Sequence, residues 1–178
     1  LILVSAGHNN NAKGACFEGL CEYPLTLIWA KNIVRLINEN GIYSEVVPVT
    51  SLKNKVKYIN NLNSILAVEI HFNSDQQRRG HGSETLYYPN SEKGVLAANL
   101  IQANLSRIGY DRGAKEGWYR MDPERGPDYF LAKTQCTSLI IEPEFIHNMR
   151  QATHRFQHVA CDVITQALIA AERKLRVD

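Results

Sequence analysis

Leu1-Ile2-Leu3-Val4-Ser5-Ala6-Gly7-His8 is the stretch from which the fold is read. Leu1–Val4 is a continuous apolar run, β-branched in part, that breaks at Gly7. Such a run suits a strand buried on both faces, as in a parallel sheet. His8 then follows the strand's C-terminal end, where open α/β sheets form their ligand crevice. Outward from there, His8–Gly14 is polar and glycine-punctuated, hence a loop. Leu25, Ile28, Trp29, Ile33, Leu36 and Ile37 recur at helical spacing, with Pro24 in the first turn and Gly41 at the end. Ser44–Val47 reads as a second strand and Ser51 as the cap of a helix through Asn61. Ile65–Ile70 is a third strand running into His71, and Glu84–Tyr88 a fourth, stopped by Pro89. Val95–Ile108 is a long helix closed by Gly109. Tyr110–Pro127, rich in glycine, proline and charge, reads as a long surface loop. Thr137–Ile141 is a fifth strand ending at Glu142-Pro143-Glu144, and a last helix runs from about Asn148 to Leu175. Alternating strands and helices predict one α/β domain over residues 1–178, with a central, mostly parallel sheet and helices on both faces.

Composition agrees with that size and class. The chain has 178 residues, 44% hydrophobic and 21% charged, which is ordinary for a globular domain and argues against disorder or coiled coil. No apolar run approaches the ~20 residues needed to span a bilayer. A net charge of +2 is far from the concentrated basic stripe of a nucleic-acid binder, and leaves only weak attraction to an acidic surface such as a cell wall. Cys16, Cys21, Cys136 and Cys161 contain no CxxC pair, which excludes a zinc ribbon or thioredoxin motif. Cys16 and Cys21 are close enough to bridge in an oxidising compartment, with free thiols the default expectation. No basic start precedes a long apolar stretch, so no signal peptide is read in this chain; its first residue is leucine, and it reads as a trimmed or excised domain that is released by lysis or has had a leader removed.

Four polar residues can converge at the strand ends: His8, His71 and Glu142 directly after strands, and Glu22 just before the first long helix. Two imidazoles and a carboxylate suit a catalytic zinc with one position left open for water. That assigns His8, Glu22 and His71 as ligands to one Zn²⁺. Glu142 is then the acid/base that takes the water's proton and returns it to the leaving amine. Each residue also has an ordinary alternative: a solvated loop histidine, or for Glu22 an acid favouring a helix N-terminus. His81, His147, His154 and His158 read as structural or surface residues; His154 and His158 are spaced i, i+4, but no nearby acid completes a metal set.

The same residues carry a resemblance. Ser5-Ala6-Gly7-His8, Gly14-Ala15 and Glu22 resemble the first half of the zinc-dependent N-acetylmuramoyl-L-alanine amidases of the amidase-3 type. Ile70-His71-Phe72-Asn73-Ser74 resembles that family's Ser-Ile-His-Ala-Asn segment, and Gly82–Tyr88 its Gly-x-Glu-Thr-Tyr-Tyr strand. Leu139–Asn148 resembles its Val-Leu-Val-Glu-x-Gly-Phe-x-x-Asn segment. The matches run in family order from Leu1 to about Gln151. The resemblance implies a mixed sheet of about six strands, zinc on His8, Glu22 and His71, and Glu142 as acid/base. It also implies hydrolysis of the amide joining N-acetylmuramic acid to L-alanine of the peptidoglycan stem. Ser5 stands where the family usually has aspartate, Asn9-Asn10 replace two glycines, and Glu144 replaces a glycine.

Further expectations follow. Asn73, Glu84, Arg112 and Trp118 are candidate substrate contacts: arginine pairs with carboxylates and tryptophan stacks on sugar faces. Trp118 has an equal alternative as a loop anchor. Some bacterial relatives carry an inserted helix that plugs the zinc site after the second histidine motif. Asp75–Gly80 is too short to hold one, so an open site needing no activator protein is expected, on a monomer acting at the cell wall or in the periplasm. A phage lysin and a domain excised from a bacterial autolysin fit equally. A zinc peptidase cutting within the stem, and a muropeptide-binding module without activity, are the competing functions.

Overall fold

A computed structural model describes residues 1–149, 152 and 154–177, without the side chain of His154. Its main sheet comprises β1 (Ile2–Ala6), β4 (Ser44–Val46), β5 (Leu66–Ile70), β6 (Ser83–Tyr87), β7 (Asp111–Glu116) and β8 (Thr137–Glu142), in the order β4-β1-β5-β8-β6-β7. The first four positions run parallel; β6 pairs antiparallel with β8, and β7 parallel with β6. The expected six-stranded, mostly parallel mixed sheet is therefore present.

Alternation along the strands divides the core into two layers. Ile2, Val4, Leu66, Val68, Ile70, Leu139 and Ile141 pack against α1 (Glu22–Glu39), α3 (Glu92–Leu105) and α6 (His154–Val177). Leu3, Ala67, Leu86 and Ile140 face α2 (Leu52–Asn60) and α4 (Tyr129–Lys133). α1 forms because Leu25, Trp29, Ile33 and Ile37 repeat on one face, and all four are buried. Each such side chain contributes roughly 1.5–3 kcal/mol of burial. Ser51 caps α2 by accepting from the Asn54 amide, as its sequence predicts. Continuing the second parity, Ser5, Glu69, Glu84 and Glu142 lie on the α2 side near the ends of their strands. Polar residues thus replace apolar ones where the sheet meets the site.

Several expectations need correction. Tyr110–Pro127 is not loop throughout: Asp111–Glu116 is the edge strand β7, missed because Asp-Arg-Gly-Ala-Lys-Glu has no apolar alternation. Two short 3₁₀ turns follow, at Tyr119–Met121 and Pro123–Arg125. The segment before Glu22 holds a small antiparallel hairpin, β2 (Cys16–Phe17) and β3 (Leu20–Cys21). Its register sets Cys16 opposite Cys21, and the two form a disulfide, against the free-thiol default. The last helical region is two elements, α5 (Ile146–Met149) and α6; Gln151, near which the motif resemblance ends, lies outside the described residues. None of the described helices is long and apolar enough to cross a membrane.

Candidate metal and active site

His8, Glu22 and His71 meet at the C-terminal ends of β1 and β5. One ligand atom from each lies within 4.8 Å of the others, and among the described residues they are the group able to hold a metal ion. Glu22 Oε2 is 3.2 Å from His8 Nε2 and 3.3 Å from His71 Nδ1. Glu22 is the first residue of α1 and is held by the backbone. Its Oε1 accepts from the Ala15 amide at 2.7 Å, and its Oε2 from the Phe72 amide at 3.2 Å. The Phe72 ring packs edge-on against Trp29 with centroids 5.1 Å apart, so core packing fixes the amide that orients this carboxylate.

Two glycines make the approach possible. A Cβ on Gly7 would lie 2.6 Å from the Ile70 carbonyl oxygen and 2.7 Å from the His71 ring. Gly14 has φ +76°, and a Cβ there would lie 2.4 Å from the His8 ring and 2.9 Å from Glu22 Oε1. The backbone therefore closes around the three donors, and a donor set of two imidazoles and one carboxylate fits zinc.

Electrostatics bind the cluster together. Burial pushes the Glu22 carboxyl up, but hydrogen bonds and charge from His71 and His8 hold it down at about 2. For His71, burial opposes protonation, yet Glu22 and Glu69 raise it to about 10. Glu142 ends β8, one step past Ile141, whose carbonyl accepts from the His71 amide at 2.9 Å. Residues 71 and 142 thus face the same side of neighbouring strands. Burial raises the Glu142 carboxyl to about 7; His71 and Arg112 oppose this, while Glu84 and Glu22 add to it. A carboxyl that titrates near neutrality beside the metal donors can serve as both base and acid. Glu144 has a different task. Its Oε1 accepts from the amides of Gly82 and Phe145 at 2.9 and 2.8 Å and from Asn148 Nδ2 at 3.0 Å, tying the loop after β8 to the start of β6.

Of the predicted substrate contacts, three come together. Glu84 is paired with Glu142 across β6 and β8 and is buried. Its Oε1 accepts from Asn73 Nδ2 at 2.7 Å; its Oε2 accepts from Arg112 Nε at 2.9 Å and Lys115 Nζ at 2.6 Å. Glu84 is therefore the anchor of this cluster, and Asn73, Arg112 and Lys115 carry its partly exposed polar groups. The Arg112 guanidinium also lies over the Phe145 ring, 4.9 Å from its centroid. Trp118 follows the other end of β7, where its backbone bridges to Pro127; these contacts anchor the excursion between β7 and α4. Outside the cluster, His81 packs on Tyr110 and His147 on Phe145 and Phe17. The His154–His158 pair involves a side chain outside the described residues.

The sequence reading missed Lys55, Glu69 and Asp128. With His8 and His71 they line a cavity of about 270 Å³. Burial raises the Asp128 carboxyl. The available signals were single charged residues inside apolar patterns: Glu69 in Leu66-Ala67-Val68-Glu69-Ile70, and Lys55 beside Val56 and Ile59.

Comparison with known proteins identifies the family and the fold. The family model for N-acetylmuramoyl-L-alanine amidase of the amidase-3 type matches residues 2–170. The N-acetylmuramoyl-L-alanine amidase LytC of Bacillus subtilis is 27% identical over 179 aligned positions, covering 94% of this chain; the chain spans 34% of LytC. The amidase AmiC2 of Nostoc punctiforme superposes with a TM-score of 0.81 at 21% identity, covering 96% of both chains. CwlD of Clostridioides difficile, solved in complex with the GerS lipoprotein, superposes at 0.84 with 22% identity over 99% of this chain and 98% of CwlD. A family match over nearly the whole chain, on the fold those structures share, means that this chain belongs to the N-acetylmuramoyl-L-alanine amidase family.

Proposed function

We propose that this domain hydrolyses the amide between the lactyl group of N-acetylmuramic acid and L-alanine of the peptidoglycan stem, with one zinc held by His8, Glu22 and His71. The observation that carries the reading is the convergence of those three donors beside Glu142. Zinc in such a site supplies Lewis acidity and makes water nucleophilic near neutral pH.

The chain's own groups supply the rest. Glu142 takes a proton from the attacking water on its carboxylate and passes it to the departing L-alanine nitrogen. Its titration near neutrality suits both halves of that transfer. Arg112, with Lys115 beside it, offers charge-assisted hydrogen bonds to carboxylates of the stem, and Asn73 adds a polar contact. Glu84 holds all three in place, and its own part in substrate binding goes through them.

The activity is proposed to need no activator. Asp75–Gly80 forms a tight turn in which the Asp75 carboxylate accepts from the amides of Gln77, Arg79 and Gly80. No helix intervenes between β5 and β6 to cover the site. The test is mass spectrometry of purified sacculi digested with the zinc-loaded protein alone. Free stem peptides beginning at L-alanine beside peptide-free glycan strands are expected, with no lag. Fragments cut inside the stem would move the reading to a zinc peptidase. Zinc binding without release would move it to a muropeptide-binding module or to an enzyme awaiting an activator.

A further inference from the structure

Behind the three metal donors lies a buried polar group that the proposed reaction does not use. Glu69, on β5, is 4% exposed, and Lys55, on α2, is 2% exposed. Glu69 Oε1 accepts from Lys55 Nζ at 2.9 Å and from Ser5 Oγ at 3.0 Å; its Oε2 lies 3.3 Å from His71 Nε2. The other Lys55 contacts are the carbonyl oxygens of Ala6 and of His8, the latter at 3.0 Å. Lys55 therefore joins the backbone of one metal donor to the carboxylate behind another, and all three of its protons have acceptors.

The arrangement fixes which nitrogen of His71 is available. Nε2 is engaged by Glu69, which leaves Nδ1 facing Glu22 and His8. Carboxylates placed behind ligand histidines orient the ring and raise its basicity. The sequence adds a second observation. The family pattern has aspartate at the position of Ser5 and, aligned on its Ile-His pair, serine at the position of Glu69. Ser5 and Glu69 are direct partners in the β1–β5 register. The acid missing from one strand is thus present on the residue opposite it, and the hydroxyl has moved the other way.

We propose that Glu69 is a positioning residue for the metal centre, orienting the His71 ring from β5, with Lys55 locking it to the His8 loop. This rests on the metal reading above. It assigns Glu69 no contact with substrate.

The test measures zinc affinity by competition with a chromophoric chelator, the visible spectrum of the cobalt-substituted protein, and thermal unfolding of the metal-free form. Glu69→Gln keeps the shape but loses the charge. It is expected to weaken zinc about 10–100-fold, the range for loss of an outer partner, and to change the cobalt spectrum. The exchange variant Ser5→Asp/Glu69→Ser is expected to bind zinc within about tenfold of the native protein, and Glu69→Ser alone more weakly than either. Zinc affinity and cobalt spectrum unchanged in a folded Glu69→Gln protein would overturn the proposal. If Glu69→Gln leaves Lys55 too poorly paired to fold, the exchange variant decides: recovered affinity supports positioning, and affinity no better than Glu69→Ser refutes it. Failure of the native protein to bind zinc at all is a separate result that removes the metal reading itself and this proposal with it.

Discussion

Replacing Gly14 by alanine tests how tightly the backbone closes on the metal donors. Two costs are separable. Gly14 has φ +76°, and an L-residue there costs roughly 1–2 kcal/mol. The new Cβ would also sit 2.4 Å from the His8 ring and 2.9 Å from Glu22 Oε1, where ordinary contact begins at 3.4 Å, so His8 must yield 1.0 Å and Glu22 0.5 Å. Metal sites tolerate about 0.2 Å in a ligand distance. Two of three donors are therefore pushed well beyond tolerance, and zinc affinity should fall by at least about 100-fold, the upper end for loss of an outer partner. Gly41→Ala is the matched control: its φ is +77° and nothing lies within 4 Å of the added Cβ. In the metal-free form Gly14→Ala should lose at least as much stability as Gly41→Ala by thermal unfolding. Only Gly14→Ala should lose affinity in a chelator competition. A Gly14→Ala protein that binds zinc within threefold of the native chain would show that the loop opens freely and that the site is not held by its backbone.

Other outcomes are expected from the same geometry. Glu142→Gln should lower release of stem peptide from sacculi by about 10²–10⁴-fold, while Glu144→Gln, which keeps an acceptor oxygen for the loop amides, should spare most activity. Metal-free protein should lose stability below pH 4.5 as Glu22 and Glu69, both held down at about 2, become protonated. It should also lose stability between pH 6.5 and about 10 as His71 gives up its proton, with Glu142 adding a loss from pH 4.5 through about 7. Zinc takes the place of the His71 proton, so the rise in Tm on adding zinc should widen from pH 6.5 upwards; a constant rise would contradict the pairing of His71 with two carboxylates. Reducing Cys16–Cys21, a five-residue separation, should destabilise by roughly 2 kcal/mol in denaturant unfolding. It should also weaken zinc binding, because the hairpin leads directly into Glu22; equal zinc affinity in oxidised and reduced protein would detach the two.

The parts of the fold read correctly from the sequence are those in which apolar periodicity and burial coincide. β1, β5 and β8 are apolar runs because both of their faces are covered, and α1 declares itself through Leu25, Trp29, Ile33 and Ile37. β7 was hidden because an edge strand needs little burial, and its register with β6 is held by the backbone. The hairpin was hidden because two-residue strands have no measurable period. His8, His71 and Glu142 were legible because each directly follows or ends an apolar run. Lys55 and Glu69 were not, since a charged residue inside an apolar pattern reveals its partner only when helix and sheet are packed.

The position of β8 carries a consequence for how the molecule is assembled. β1, β4 and β5 form one half of the sheet and β6 and β7 the other, and β8 lies between them though it follows both in the chain. On a ribosome, the three metal donors emerge on segments that can already pair, while Glu142 arrives only with the strand that joins the halves. On the proposed mechanism, a nascent chain would gather its three candidate ligands before Glu142 is in place, and hydrolytic competence would coincide with closure of the sheet.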